Sequence, residues 1–321
     1  MPALLLQKPS FRSKAKQHGE CLRRRMDLWS EGNFDVLVRE CRTIQSRLPS
    51  NNINLHPGDL AKKFASLVLE GKINAAMRLL DANNASGLLH LSDNVIDELK
   101  VKHPPSAPAD PSTLMTGEAP FIDPVMFENI DETVITKAAL HTKGAAGPSG
   151  MNADGWRRIL VSKHFGKSGG ELKAALAKFT RILCTRDINK NSIEAYVSCR
   201  LVPLDKNPGV RPIGIGEVLR RIIGKSIISV IKPDILESGG SLQLCTGLPS
   251  GCEAAVHAMK DIFEEEETDG LLLVDASNAF NSLNRKALLH NIKYLCPPMA
   301  KYVKKTAIAN HLVSSLQEAK K

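Results

Sequence analysis

The sequence predicts an α+β fold in two modules that are joined by a proline-rich connector. Three observations indicate this fold class. The first third of the chain carries apolar residues at helical spacing, six prolines occur between residues 103 and 124, and the remainder combines helical patterns with two regions of strand character. With 321 residues and a hydrophobic content of 43%, the chain can hold two ordinary domains or one large domain.

The chain is basic, with a net charge of +9 and a pI of about 9.2. This favours a polyanionic partner, with nucleic acid ahead of an anionic membrane surface, although a basic protein without such a partner is the alternative. The seven cysteines are odd in number and include no C-x-x-C pair, which predicts reduced thiols in a nuclear or cytoplasmic protein. No apolar stretch approaches the ~18 residues of a membrane span, and no signal-peptide core is present, so we expect neither a secreted nor a membrane protein.

The N-terminal third divides into an arm and a helical module. Residues 1–26 carry seven Lys or Arg residues against one Glu, which predicts a flexible basic arm that touches phosphates or, equally, a solubilising tail. Residues 27–102 form the predicted helical module, in which Asp59 and Ser92 are placed to begin helices. Residues 103–124 form the connector, because such a density of proline excludes regular structure.

The second module, residues 125–321, begins with a helix that Asp131 is placed to cap. The turn 205–209 contains Pro-Gly and is flanked by apolar residues, which predicts a β-hairpin. Further helices follow, and the fully apolar run Leu271–Val274 predicts a strand that is buried on both faces. The last segment, residues 301–321, is predicted to form one basic helix.

Two segments of the second module have patterns suited to nucleotide chemistry. The predicted hairpin carries Lys206 near its tip and Arg211 on its return strand, so a point charge and a planar fork can bind one triphosphate. The predicted strand Leu271–Val274 ends at Asp275, whose carboxylate can bind a hard cation, and Phe280 follows one short turn later. Taken singly, the first pattern is equally typical of a solvated basic hairpin, and the second is more typical of a helix cap or a turn.

A third segment, residues 144–153, precedes these two and contains Gly-Pro-Ser-Gly. In this order the three segments resemble the reverse transcriptases of non-LTR (LINE-type) retrotransposons, over roughly residues 125–300. The resemblance implies the fingers and the start of the palm of a polymerase fold. It also implies an RNA-directed DNA polymerase as the ancestral activity, with an RNA template, a DNA primer and dNTP as partners and Mg²⁺ as cofactor.

The resemblance further implies roles for individual residues. Lys206 and Arg211 match the residues that contact the incoming triphosphate. Asp275 matches the first catalytic carboxylate, with the backbone carbonyl of Ala276 as a further metal ligand. Phe280 matches the aromatic steric gate that selects deoxynucleotides by excluding a 2′-hydroxyl.

Template contacts are expected at a different set of residues. Gln243 lies in a stretch that resembles the part of the family that helps to hold template. The neighbouring pair Arg220 and Arg221 is predicted from its charge alone to contribute to weak, sequence-independent nucleic-acid binding.

One part of the family pattern is missing from this chain. Two-metal phosphoryl transfer needs a second carboxylate cluster, which the family supplies as an Asp-Asp pair, and no Asp-Asp occurs in the 321 residues. We therefore expect a reverse-transcriptase fragment, truncated after the first palm motif, that is inactive alone. The alternatives are a non-catalytic nucleic-acid-binding remnant and a helical protein-interaction module, which the salt dependence of binding distinguishes.

Overall fold

The computed structural model of the chain describes residues 5–7, 9–10, 13–46, 57–71, 73, 76–77, 87–105, 107–206, 208–241, 243–244 and 249–307. The chain divides into two units. The first comprises Met1–Val101 with Leu201–Gly214, and the second comprises Lys102–Arg200 with Ile215–Lys321. The division after residue 101 lies one residue before the predicted end of the helical module, and residues 201–214, the central part of the predicted hairpin, are grouped with the first unit.

The helices described in the first unit are α1 (Ala15–Ser30), α2 (Phe34–Ser46), α3 (Pro57–Leu69) and α4 (Asp93–Val101). The predicted helix start at Ser92 is confirmed, since its hydroxyl accepts a hydrogen bond from the Val95 amide just before α4. Helix α3 begins at Pro57, two residues before the predicted cap, so Asp59 lies in its first turn and is not the residue that begins it. The predicted boundary at residue 26 lies inside α1. Residues 15–26 are therefore helical and do not form an extended arm.

Helices α1 and α2 are held together by an ion pair that the sequence does not reveal. The Arg25 side chain is buried, and its guanidinium donates to the Glu40 carboxylate at 2.8 and 2.9 Å and to the Leu5 carbonyl at 3.1 Å. Arg24 also donates to Glu40. Burial works to raise the pKa of Glu40, but the hydrogen bonds from both arginines outweigh it, and the pKa is lowered from its usual value.

The predicted hairpin is confirmed. Strand β1 (Cys199–Asp205) pairs antiparallel with β2 (Val210–Gly216), and together they form the one sheet found in the described residues. The turn closes through a 2.9 Å hydrogen bond from the Lys206 amide to the Gly209 carbonyl, and Gly209 takes a φ of 100° that favours glycine. An isolated bridge between Leu88 and Leu204 adds a short segment along β1.

The helices of the second unit are α5 (Glu132–His141), α6 (Ala153–Val161), α7 (Gly166–Thr185), α8 (Glu194–Val197), α9 (Val218–Val230), α10 (Lys232–Gly239), α11 (Gly251–Phe263), α12 (Ala279–Ser282), α13 (Arg285–Leu295) and α14 (Pro297–Thr306). Four short 3₁₀ turns accompany them, at Pro111–Thr113, Pro124–Asn129, Lys163–Phe165 and Lys190–Ile193. Helix α5 starts as predicted, because the Asp131 carboxylate accepts from the Val134 amide at 2.9 Å.

The core of the second unit lies where α5 packs against α6, α7 and α9. Its fully buried side chains are aliphatic and include Ile135 on α5, Leu183 on α7 and Ile222, Ile223 and Ile227 on α9. The low aromatic content of 4% agrees with a core of this kind. The predicted α+β class is confirmed at this level, as a predominantly helical protein with a small antiparallel sheet.

The described residues of the connector form no helix or strand apart from the 3₁₀ turn Pro111–Thr113 and the first residue of the 3₁₀ turn Pro124–Asn129, and they are held along α13. Side chains at the start of α13 and along it hold the backbone of the connector. The Asn284 amide donates to the carbonyls of residues 107 and 108, the Asn291 amide donates to that of residue 113, and the Tyr294 hydroxyl donates to that of residue 117. The Asn291 side-chain oxygen also accepts from the Met115 amide at 3.0 Å.

Two predictions about the C-terminal part are corrected. Leu271–Val274 is not a strand, and its side chains are not buried, because Leu272, Leu273 and Val274 are each more than 80% exposed. The predicted helix over residues 301–321 is observed only as the end of α14, and residues 308–321 lie outside the described part. Among the described helices, none has the length and apolar character needed to cross a bilayer.

Candidate nucleic-acid interface

The two cationic residues of the hairpin occupy the positions that the sequence predicts. Lys206 follows β1 at the turn, and Arg211 is the second residue of β2, and both side chains are exposed. The adjacent Val210 amide donates to the Glu98 carboxylate of α4 at 2.7 Å, which ties the start of β2 to a helix of the same unit. Both cations are therefore displayed on an anchored hairpin, and their triphosphate role stays a prediction.

The Gly-Pro-Ser-Gly loop is anchored on the N-terminal end of α9 by a buried carboxylate. Glu217 is 7% exposed and accepts two hydrogen bonds of 2.6 Å from Ser149, one from its amide and one from its hydroxyl. A Cβ added to Gly147 would lie 2.8 Å from the backbone of Gly216 and Glu217. The loop thus requires glycine at this position because two backbone segments approach closely.

Arg220 and Arg221, which the sequence predicts as nucleic-acid contacts, both bind backbone carbonyls of the second unit. Arg220 donates to the Val197 carbonyl at 3.2 Å and to the Thr306 carbonyl at 3.1 Å. Arg221 donates to the Lys143 carbonyl at 2.7 Å and to the Ala145 carbonyl. Each guanidinium thus holds neighbouring segments of the chain against α9. A role in nucleic-acid binding stays a prediction for both residues.

A basic groove between α5 and α9 was not predicted. It encloses about 480 Å³ and is lined by eight residues, none of them acidic: Asn129, Val134, Lys137, Ala138, His141, Lys225, Ser229 and Val230. The Lys225 ammonium donates to the His141 carbonyl at 2.7 Å, which fixes its position at the wall and leaves further N–H donors on the same group. Lys137 and His141 lie one turn apart on α5, and Lys225 on α9 lines the same groove.

Part of the signal for this groove is present in the sequence. Lys137 and His141 have i, i+4 spacing, which places them on one face of a helix. Lys225 is more than 80 residues away along the chain, and only the packing of α5 on α9 brings it to the same groove.

Asp275 lies in an exposed segment without regular structure, and Phe280 lies in the short helix α12 that follows it. Every side chain from Leu271 to Phe280 is exposed, and the Phe280 ring is 96% exposed. Asn278 sets the turn that separates them, because its backbone has a left-handed φ of 52°. Its side-chain amide donates to the Lys102 carbonyl at 2.9 Å. The Phe280 ring therefore packs against no other part of the second unit as described, and its steric-gate role stays a prediction.

The described residues offer two oxygen ligands for a Mg²⁺ ion in this segment, the Asp275 carboxylate and the Ala276 carbonyl. Magnesium in enzymes is commonly held by one or two carboxylates together with waters and substrate phosphates. No group of three or more His, Cys, Asp or Glu side chains converges in the described ranges. Asp275 and Ala276 do not complete a magnesium site by themselves, and Mg²⁺ stays a prediction.

Gln243 lies in the turn after α10, and its contact with template also stays a prediction.

A buried polar cluster lies beside α9 and does not have the properties of a catalytic centre. The hydroxyls of Tyr196 and Tyr302 are 3.0 Å apart, and burial raises the pKa of both. Burial also raises the pKa of the Cys184 thiol to about 12, so this sulfur is protonated near neutral pH and is a poor nucleophile. The Lys305 ammonium donates to the Leu183 carbonyl at 2.7 Å, near the C-terminal end of α7, where a cation is favourable.

Comparisons with protein-family models, with curated proteins and with solved structures give no significant match to this chain. The inference of function therefore depends on the residues themselves, on their order along the chain and on the surfaces that the two units present.

Proposed function

We propose that this chain binds nucleic acid through its basic surfaces and that it is a reverse-transcriptase-like protein that does not polymerise alone. The order of the three motifs supports the relationship to non-LTR retrotransposon reverse transcriptases. The groove of Lys137, His141 and Lys225 is the observation that carries the binding activity, because cations converge there with no carboxylate among the lining residues.

The groove suits a phosphodiester backbone better than a particular base sequence. Its cationic groups are the ammoniums of Lys137 and Lys225, which act as point charges, and its lining includes no exposed guanidinium that would read a base edge in bidentate fashion. Phosphate contacts of this kind give affinity without sequence information. On the first unit, Lys206 and Arg211 add two exposed cations to the same activity.

We favour binding over catalysis because the set of carboxylates that a polymerase needs is incomplete in these residues. A polymerase closes its two-cation site with carboxylates on more than one segment. Asp275 lies in an exposed irregular segment, and these 321 residues contain no Asp-Asp pair. Within this proposal, the resemblance assigns nucleotide contact to Lys206, Arg211 and Phe280 one by one. The odd number of cysteines and the lack of a C-x-x-C pair in the sequence support a nuclear or cytoplasmic location within this proposal.

The experiment that tests the proposal is the salt dependence of binding to a labelled single-stranded RNA, measured by fluorescence anisotropy with the full chain. We expect the logarithm of the affinity to fall linearly with the logarithm of the salt concentration, with a slope of about −0.7 per phosphate contact. The double variant Lys137→Gln with Lys225→Gln should lower the magnitude of the slope by about 1 to 2, with equal weakening on unrelated sequences.

Lys167→Gln is the matched control. Lys167 is a 92% exposed lysine of the same unit that lies outside the groove, at the start of α7, so its removal tests the effect of net charge alone. The proposal fails if both variants reduce the slope equally, if affinity does not change with salt, or if one base sequence is strongly preferred.

Primer extension on an RNA template is the test of catalysis. We expect no extension by the purified chain in the presence of Mg²⁺ and dNTP, because a single carboxylate leaves the transferring phosphoryl group without most of its charge stabilisation. Templated incorporation that is lost in Asp275→Asn would contradict this expectation and would assign a catalytic role to Asp275.

A further inference from the structure

Helix α11 presents an apolar face that the described part of the protein does not cover. The face is formed by Ala255, Val256, Met259, Ile262 and Phe263, whose spacing places them along one side of the helix. Val256 is 68% exposed, Phe263 is 56% exposed and the two between them are at least 40% exposed. The exposed run Leu271–Val274 follows eight residues after the helix and adds further apolar area.

The helix also has little local stabilisation. It has 13 residues, and isolated helices shorter than about 12–15 residues are marginal in water. Its N-cap residue, Ser250, is in the left-handed region at φ 53°, and its side chain makes no capping hydrogen bond. A short helix with a weak cap depends on burial of its apolar face, so a surface that covers this face would stabilise it.

The charge around α11 is opposite to that of the chain as a whole. Residues 251–275 contain eight carboxylates and one lysine, in a chain of net charge +9. The four residues Glu264–Glu267 directly follow α11 and are all exposed. They add to the partial negative charge at the C-terminal end of the helix, so the apolar face has an acidic border.

We infer that α11 is a docking surface for a basic amphipathic helix of a partner protein. Burial of the apolar face supplies the driving force, and Lys or Arg side chains of the partner complement the acidic border. Nucleic acid is excluded from this surface by repulsion between phosphates and carboxylates. A second copy of α11 is disfavoured for the same reason, since pairing would bring two acidic borders together. This surface is separate from the basic groove and does not depend on nucleic-acid binding.

The test measures binding of a labelled helical peptide to the full chain by fluorescence anisotropy. The probe is a peptide of about 18 residues with Leu on one face and Lys and Arg on the other, and its companion carries Glu in place of every Lys and Arg. We expect the basic peptide to bind and the acidic peptide to bind at least about tenfold more weakly. Phe263→Ser should lower the affinity for the basic peptide at least about tenfold, as loss of a central aromatic anchor does.

Phe121→Ser is the matched control, because Phe121 is an 87% exposed ring of the connector. It should change the affinity by less than about twofold, as expected for a surface residue outside the interface. Both phenylalanines are exposed, so both variants should keep the fold, which far-ultraviolet circular dichroism verifies. The double variant at Lys137 and Lys225 should bind the peptide with the affinity of the original chain, even if it no longer binds RNA.

Four results would overturn the inference. The first is equal binding of the two peptides, and the second is the same loss of affinity in Phe263→Ser and Phe121→Ser. The third is no binding of either peptide. The fourth is a concentration-dependent dimer in analytical ultracentrifugation that Phe263→Ser abolishes, which would assign the face to a second copy of this chain.

Discussion

Helices α9 and α11 have the same length and a similar pattern, but their surroundings differ. Each has 13 residues with an apolar face. In α9 that face is fully buried at Val218, Ile222 and Ile227, whereas in α11 every side chain from Val256 to Phe263 is exposed. The contrast shows that amphipathic spacing specifies which side of a helix is buried without specifying what covers it.

The polar side chains of the two helices differ in the same way. Around α9, Glu217 and Arg221 bind the Gly-Pro-Ser-Gly loop and the segment before it, so polar as well as apolar contacts position the helix. Around α11, the one ion pair described is that of Lys260 with Glu264, 3.7 Å apart on the helix surface, and such exposed pairs contribute little. The stability of the second unit should therefore depend on α9 far more than on α11.

Truncation of the apolar face should show the largest difference between these helices. Ile227→Ala removes a fully buried side chain, and we expect it to lower the free energy of unfolding by about 2–5 kcal/mol. Ile262→Ala, at a 47% exposed position of α11, should cost less than about 0.5 kcal/mol, because little buried volume is lost. Urea denaturation of both variants measures the two values.

Ile228→Ala is the control within α9, because Ile228 is next to Ile227 in the chain but is 44% exposed. Its effect on the free energy of unfolding should be as small as that of Ile262→Ala. A cost at Ile262 as large as that at Ile227 would mean that the face of α11 is buried in solution.

Glycine substitutions should give the next largest effect, because they test the anchored end of α9. Gly147→Ala places a methyl group 2.8 Å from the backbone of Gly216 and Glu217, and we expect a loss of about 1–3 kcal/mol from the displaced loop. Gly170→Ala, inside α7 with nothing within 4 Å of the new Cβ, should instead stabilise by about 0.5–1 kcal/mol through the higher helix propensity of Ala. Equal midpoints for the two variants in thermal melts would show that the loop yields without cost.

Polar substitutions in the exposed run after α11 should have little effect on stability. The double variant Leu272→Ser with Leu273→Ser removes two side chains that are more than 80% exposed, so the free energy of unfolding should change by less than about 0.5 kcal/mol. Solubility should increase, because exposed apolar runs promote association. Thermal melts and light scattering at rising protein concentration measure both effects, and a large loss of stability would indicate that the run is covered.

Acidification should give a modest effect that separates paired from exposed carboxylates. The pKa of Glu40 is lowered in the folded chain, so its contribution to stability is present above the pKa of the unfolded chain and is lost as the pH falls through the lower folded value. Glu40→Gln should therefore flatten the acid limb of a stability profile measured by denaturation between neutral and strongly acidic pH. Glu266→Gln, in the exposed acidic border of α11, is the control for the removal of one carboxylate.

The sequence predicts those features that short stretches of chain determine. The hairpin was predictable because Pro208-Gly209 sets a turn between apolar flanks, and the start of α5 because Asp131 caps it through its own neighbours. Leu271–Val274 failed as a buried strand because an apolar run requires neighbouring strands to become one, and the described residues supply none there.

The candidate site was predictable only where it depends on local structure. The positions of Lys206 and Arg211 on the hairpin were correct, since the turn sets them. The groove of Lys137 and Lys225 could not be predicted, because it depends on the packing of α5 against α9. The carbonyl partners of Arg221 could not be predicted either. An arginine that binds loop carbonyls and an arginine that binds a phosphate cannot be told apart in the sequence.

The way in which α13 holds the connector determines where this part of the chain tolerates substitution. Asn284, Asn291 and Tyr294 bind backbone atoms of the connector, and every residue type provides a carbonyl. Side chains of the connector can therefore change with little penalty, provided that the backbone stays extended, whereas the three donors on α13 cannot be replaced without losing a contact. A saturation mutagenesis scan of folding would thus find a permissive proline-rich segment beside a restrictive helix, although the segment has the more unusual composition.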